Sequence, residues 1–457
     1  MTHRPTRRAV LATGAAGAAA VGLPRAALAR TDDEPEDYRA LVCVFLTGGM
    51  DAYDTLIPTD ARQHAEWKRT RGGFADAYAA QGAARDPERL LPVGTDAEGA
   101  PYGLPPQMPR LAAAVREGGA AIVANIGPMQ GPVTPRQLEA ASVPLPPKLF
   151  SHSDQRAYWR ELAPASGART GWGGRLAASF GDQGPFAAVA GGRDEGFTTG
   201  PRGPGVVVGD LRPKAGFGTR DALYGDEELA ALFLDHLGTA SETAGILERD
   251  YARQQRAGID VSRALIAMMR STSAGEALAA GAKKDTLAYN LAVVAKMIAL
   301  RARTGARRQV FYVEMNGFDT HRDQPARLPD LQAELDDALA GFSAWLAAAG
   351  LSRAVTTFTA SDFGRTLVPN GSGTDHGWGG HQIVMGGAVA GGLHGTVPPS
   401  APGHALDAGR GRVIPTLAAE QTAVPLARWL GMKDADLAEV FPYADRFDLG
   451  AVPLMAG

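Results

Sequence analysis

Thiol chemistry is almost absent from this chain: its 457 residues include one cysteine, Cys43. A single thiol excludes an intrachain disulfide and a structural zinc site built on thiolates. Cys43 sits inside the apolar run Leu41-Val42-Cys43-Val44-Phe45-Leu46. It reads as a core residue and not as a nucleophile, because a thiol in apolar surroundings stays protonated and inert. A basic excess is also missing. Lys and Arg number 46 against 49 Asp and Glu, a formal charge of -3, and nucleic acid asks for a basic stripe. Beyond the first thirty residues no apolar run reaches the roughly 18 residues of a membrane span. Neither a G-x-G-x-x-G dinucleotide fingerprint nor a G-x-S-x-G nucleophile elbow is present. What is plentiful is glycine (57) and proline (31), which predict long shaped loops on a rigid scaffold. The hydrophobic share of 45% is ordinary for a globular chain and enough to bury a large core.

Residues 1–29 read as an export leader. Thr6-Arg7-Arg8-Ala9-Val10-Leu11 opens it, small and mildly apolar residues follow from Ala12 to Leu23, and Ala27-Leu28-Ala29 is an A-x-A cleavage signal. The paired arginines point to the twin-arginine route. That route implies a translocon that passes folded protein and a periplasmic or secreted destination. Residues 30–39, with Asp32, Asp33, Glu34, Glu36 and Asp37, predict a disordered acidic spacer. Residues 40–457 form the body, with no internal repeat and no linker at which to divide it.

Within the body, runs of strand length end abruptly in polar groups. Leu41–Leu46 leads into Thr47-Gly48-Gly49-Met50-Asp51. Gln309–Met315 leads into Asn316-Gly317-Phe318-Asp319-Thr320-His321. Ala354–Phe358 leads into Ser361-Asp362-Phe363-Gly364-Arg365 and then Gly373-Thr374-Asp375-His376. A further strand, Ala120–Gly127, precedes a proline-rich loop that ends at Ser151-His152. Helical periodicity appears over 285–304, 330–349 and 415–431, and residues 62–110 read as an irregular excursion covering the site. Buried strands alternating with helices predict an α/β fold with a mostly parallel sheet, in which ligands bind past the carboxyl ends of the strands.

Asp319 and His321, two apart in an extended segment, point the same way, so one cation could take both. Asp362, Asp375 and His376 form a second group, with His381 a further candidate. Asp51 can be a metal ligand or a helix N-cap, and taken alone the cap is the better reading. Carboxylates and imidazoles without thiolates suit zinc, manganese or magnesium. Two such ions roughly 4 Å apart can clamp a transferring phosphoryl group, with Arg365 or Arg322 on its oxygens. A serine at a helix start is most often only a cap; as a nucleophile Ser151 needs a base or a metal beside it.

Together these segments resemble one family, the domain of unknown function 1501, over nearly the whole body. The motifs are Phe45-Leu46-x-Gly48-Gly49-x-Asp51 followed by Pro58, Ser151-His152, Thr170-Gly171-Trp172, Gly317-Phe318-Asp319-Thr320-His321 and Asp362-Phe363-Gly364-Arg365-Thr366. Gly373-Thr374-Asp375-His376-Gly377 and Gly411-Arg412-Val413-Ile414-Pro415-Thr416 complete them. The family resembles a distant branch of the alkaline phosphatase and sulfatase superfamily. That likeness implies a single large three-layer α/β domain, its sheet between helices, with two divalent ions (Zn, Mn, Mg or Ca) at the strand tips. It implies Asp51, Asp319, His321, Asp362, Asp375, His376 and His381 as ligands, and Ser151, His152 and Arg365 as catalytic groups. The superfamily's Asp-His doublet is here Asp362-Phe363, so the histidine has to come from His376 or His381. There is no C-x-P-x-R, which excludes a formylglycine sulfatase. The expected function is an exported metal-dependent hydrolase of small phosphate or sulfate esters. The alternative is a non-catalytic exported protein of the same fold, acting in cell-surface assembly or on a surface partner. A metal-free serine hydrolase is a weaker third reading, since no nucleophile elbow supports it.

Overall fold

Every residue from Ala40 to Leu46 is buried, so strand β1 (Arg39–Thr47) has no wet face. Successive side chains of a strand point to opposite faces. Here Ala40, Val42, Val44 and Leu46 join one apolar cluster, while Leu41, Cys43 and Phe45 join another. A sheet covered on both sides produces that pattern, and full burial of each large apolar side chain contributes about 1.5–3 kcal/mol. The computed structural model describes residues 37–162, 170–194, 196–216, 219–243 and 245–456. The leader, and the spacer up to residue 36, lie outside the described residues.

The other strands of this sheet, in chain order, are β2 (Ala120–Gly127), β3 (Ala188–Gly191), β4 (Val206–Val208), β5 (Arg308–Asn316), β6 (Val355–Ser361), β7 (Gly380–Met385), β8 (Gly392–His394) and β9 (Leu417–Ala418). Their order in space is β8-β2-β7-β6-β1-β5-β3-β4, with β9 also paired to β2. All pairings are parallel except the two made by β7. The mostly parallel α/β sheet is as the sequence predicts.

The helices that fix the site are α1 (Ala61–Arg71), α2 (Pro109–Arg116), α3 (His152–Glu161), α4 (Trp172–Ser179), α5 (Leu287–Ala299), α6 (Gln324–Ala348) and α7 (Glu420–Leu430). One face of the sheet packs on α2, α5 and α6 through Leu111, Val294 and Phe342. The other packs on α3, α4 and α7 through Tyr158, Trp172 and Val424. This makes three layers. Helix α6 starts six residues earlier than its periodicity over 330–349 indicates; Pro325 sits in its first turn, where a missing N–H breaks no bond.

Residues 62–110 are more regular than an irregular excursion. They contain most of α1, a helix Phe74–Ala80, and the strands Leu91–Thr95 and Pro101–Leu104, which join Ile57–Pro58 in a small antiparallel sheet. Charge hid this: the buried positions of α1 are His64, Trp67 and Arg71, so its inward face carries one apolar residue and gives no hydrophobic period. Among the described residues no helix is long and apolar enough to cross a membrane.

Candidate metal centre

Strands β5, β1 and β6 lie side by side and parallel, pairing Thr47 with Asn316 and Leu46 with Ser361. Their polar tips therefore emerge at one edge. Gly48 turns the chain there with φ +116°, and a Cβ on it would lie 2.3 Å from the Asp319 amide nitrogen. Only glycine allows both the positive φ and that approach. The hairpin of Arg365–Pro369 and Thr374–His376 then folds back over the edge and pairs Arg365 with His376.

Four side chains converge above this edge. One ligand atom each from His152, Asp319, His321 and His376 lies within 4.8 Å of all the others. Asp319 Oδ1 stands 3.5 Å from His152 Nε2, 3.3 Å from His321 Nε2 and 3.8 Å from His376 Nε2. Ligands about 2.0–2.1 Å from a tetrahedral zinc ion stand roughly 3.3 Å from one another, so the spacing fits a small divalent cation.

The outer edge of each imidazole is occupied. His152 Nδ1 meets Asp362 Oδ2 at 2.7 Å. His376 Nδ1 meets the Phe150 carbonyl at 2.7 Å, and a carbonyl only accepts, so Nδ1 carries the proton. His321 Nδ1 faces Asp375 Oδ1 at 3.4 Å, and Asn370 donates to that same carboxylate oxygen at 2.7 Å. All three rings therefore turn an Nε2 lone pair inward. His152 Nε2 is buried with no hydrogen-bond partner among the described residues, and His321 Nε2 and His376 Nε2 stand 2.7 Å apart. Two lone pairs at that distance repel unless a proton or a cation lies between them. Carboxylates and carbonyls behind ligating histidines are the usual device for fixing ring orientation and raising basicity.

The electrostatics agree with a neutral His376 ring near an ionised Asp319. Burial lowers the pKa of His376 below the ordinary imidazole value. For Asp319 burial alone would raise the pKa, but the Arg365 guanidinium offsets this and leaves it below the usual carboxylate range. Asn370 lowers that of Asp375. Phe363 packs against both His152 and His376, with ring centroids 4.8 and 4.5 Å away, and floors the site. Its solvent side is open: the Asp319 side chain is 49% exposed and that of His321 39%.

The remaining expected residues take other positions. Asp362, predicted as a ligand, is fully buried behind His152 and also accepts from the Gly48 amide at 3.2 Å and Arg156 Nη2 at 3.2 Å. Asp375 likewise backs His321. Asp51 is engaged elsewhere: Arg71 grips both its oxygens at 3.0 and 2.8 Å, and it caps the turn Ala52–Asp54. The cap reading of Asp51 is thus the observed one. His381 is buried beneath the sheet edge, where its Nδ1 accepts from the Asn125 amide at 3.0 Å, and burial lowers its pKa to about 4. Arg365 is wholly buried and spends its guanidinium on the carbonyls of Gly48, Gly49, Phe318 and Thr374 and on Asp319 Oδ1 at 2.5 Å. It braces the site and presents no free edge to an anion. The Ser151 hydroxyl donates to Asp154 Oδ2 at 2.7 Å.

His152, expected as a catalytic group beside Ser151, opens α3 and places its ring in the cluster, 4.8 Å from the Phe363 ring. Arg71 and Gln324 were not singled out from sequence. Both lie in helices with no chemical motif, and only the fold brings them to Asp51. Among the described residues one group of three or more His, Cys, Asp or Glu gathers closely enough to hold a cation, where two ions were expected.

The fold and the cluster together define a three-layer α/β protein with a histidine-rich candidate metal centre at the carboxyl edge of its sheet. The chain belongs to the family described as protein of unknown function (DUF1501), whose model matches residues 38–409. No curated protein matches it. Among solved structures it is similar to the crystal structure of PsFucS1 sulfatase from Pseudoalteromonas sp., at 12% identity and a TM-score of 0.33, over 87% of this chain and 68% of that one.

Proposed function

We propose that this chain is a metal-dependent hydrolase of phosphate or sulfate esters, exported by the twin-arginine route to the periplasm or beyond, with the alkaline phosphatase-like kinship its motifs imply. The observation that carries the proposal is the inward convergence of three Nε2 lone pairs on Asp319 Oδ1. His152, Asp319, His321 and His376 would hold one divalent cation, zinc by preference of geometry and ligand type. When bound, that cation supplies Lewis acidity and lowers the pKa of water.

The chain's own groups favour an anionic substrate. Arg412 lies over the Phe150 ring at 4.4 Å and donates through Nε to the His376 carbonyl at 3.1 Å. Arg327 holds the Gly317 carbonyl at 3.1 Å, and Arg322, next to His321 in the chain, is exposed. Such a rim attracts a phosphate or sulfate to the open side of the cluster. Asp362, Phe150 and Asp375 hold the rings in their tautomers, and Arg365 offsets the Asp319 charge. The Ser151 hydroxyl is engaged by Asp154, and in this proposal the attack falls to water. Assays on aryl phosphates, phosphodiesters and aryl sulfates test this: turnover should vanish in His376→Ala and survive in Ser151→Ala. Loss with Ser151→Ala alone would return the chemistry to the serine, and unaltered turnover in both would remove the site from catalysis.

One observation favours a second reading, a non-catalytic exported protein that binds a surface partner. Tyr224, Leu232, Ile246 and Leu247 are 91%, 61%, 76% and 84% exposed. They lie on or beside the helical hairpin Glu227–Thr243 and Ile246–Arg270. Large apolar residues exposed along one hairpin offer an interaction surface.

A further inference from the structure

His321 and His376 arrive from different strand ends, yet their loops touch backbone to backbone. The Thr374 amide donates to the Thr320 carbonyl at 3.1 Å. A Cβ on Gly373 would lie 2.1 Å from the His321 carbonyl carbon. Each loop also places a wholly buried threonine close to its histidine: Thr320 directly before His321, and Thr374 two residues before His376. Both hydroxyls donate to one atom, Oε1 of Gln324, at 2.9 and 2.7 Å.

The other end of the same amide is tied just as firmly. Gln324 Nε2 donates to Asp51 Oδ2 at 2.8 Å and to Asp54 Oδ2 at 2.9 Å. Arg71 holds both those carboxylates, at 2.8 and 3.0 Å. This fixes the orientation of the amide, since a flip would turn its oxygen toward two carboxylates. The Gln324 backbone amide meets the Ser372 carbonyl at 2.8 Å, so the start of α6 is stitched to the same loop. The amide is fully buried, and its partners lock it on both sides.

We propose that Gln324 is a positioning residue for the metal centre: by clasping Thr320 and Thr374 on one oxygen it sets the separation of His321 and His376, and with it the cation the site accepts. The role rests on the metal-centre reading above. It gives the buried Asp51–Arg71 pair a function at a distance, as the anchor against which the clasp is pulled.

The test compares two double variants of the full chain. Thr320→Val with Thr374→Val removes both donations at constant volume; Thr320→Ser with Thr374→Ser keeps them. Each is titrated with Co(II) and Zn(II), the Co(II) d–d bands are recorded, and amide exchange over residues 319–321 and 372–376 is followed in metal-free protein. The valine pair should bind cobalt about 10–100-fold more weakly, with altered bands and at least tenfold faster exchange at the Thr374 amide. The serine pair should stay within a few-fold of the parent in all three. A valine pair that binds and exchanges like the parent overturns the proposal, as does a serine pair as impaired as the valine pair. Should the valine pair fail to fold, the single Thr374→Val and Thr374→Ser variants decide by the same measures. If the parent chain binds neither cation, the metal-centre reading falls, and the exchange comparison alone decides whether the clasp exists.

Discussion

His152 and Asp362 are separated by 210 positions in the chain, and their side chains meet at 2.7 Å. The carboxylate is buried at the tip of a central strand; the imidazole opens a helix on the far side of a proline-rich loop. Their contact settles which ring nitrogen of His152 carries the proton and so aims Nε2 at Asp319.

Asp362→Asn keeps the shape of this contact and removes its charge. The predicted result is a 10–100-fold loss of divalent-cation affinity, read by competition titration. The Gly48 amide can still donate to the amide oxygen at this position, so the fold should survive with a loss of about 1–3 kcal/mol from the hydrogen bonds to charged partners. An unchanged affinity would mean that His152 is not a ligand.

Asp51 calls for a different result, a loss of stability in place of a lost site. Arg71→Met leaves Asp51 and Asp54 buried without their cation, and breaking a buried pair in this way costs about 3–5 kcal/mol. Denaturant unfolding should show that loss. The number of cations bound at saturation should not change, because neither carboxylate belongs to the cluster, although affinity should fall as the Gln324 clasp loses its anchor. If Asp51→Asn abolished cation binding even at saturating metal, rather than weakening it as loss of the clasp would, while the protein stayed folded, the sequence-based assignment of Asp51 as a ligand would be restored.

How far the site was legible in the sequence follows from these two aspartates. Both stood at strand tips, and a parallel sheet brings strand tips to one edge, so the neighbourhood could be read. Asp319, His321 and His376 were recognisable because strand and hairpin place them near their own backbone turns. What could not be read was allocation. Whether a carboxylate faces a cation, backs a histidine or pairs with an arginine depends on partners such as Arg71, His152 and Phe150, which come from other elements. The fold was legible in the apolar runs, and α1 was missed because its buried face is His64, Trp67 and Arg71.

Glu420 supplies a pH prediction away from the site. Its carboxyl is fully buried, neither oxygen has a partner on another of the described residues, and burial raises its pKa to about 8 from 4.5. The folded chain therefore keeps a proton that the unfolded chain releases above pH 4.5. Stability from this group is lost as pH rises from about 4.5 to 8, by roughly 4 kcal/mol at most. Glu420→Gln should raise Tm relative to the parent at pH 8 and leave it nearly unchanged at pH 4.5. A parent chain equally stable at both pH values, with the variant unaltered, would contradict this.

His381 acts in the other direction. Burial holds it neutral in the folded state down to about pH 4, while the unfolded imidazole protonates near its ordinary value of 6.5. The unfolded chain thus binds the extra proton between those values, and stability falls as pH drops from about 6.5 toward 4, by about 3 kcal/mol at most. His381→Gln retains an acceptor for the Asn125 amide and cannot protonate. Its unfolding free energy should show a shallower pH slope in that window, and an identical slope would assign the acid sensitivity to other groups.

The decisive measurement is the divalent-cation content of the folded full chain by elemental analysis and zinc titration, beside His376→Ala and Asp319→Ala. The parent should carry about one cation per chain and either variant almost none, with circular dichroism showing all three folded. A parent that takes up no zinc, manganese, magnesium or calcium, or variants that bind as well as the parent, would show that His152, Asp319, His321 and His376 converge for some reason other than holding a metal.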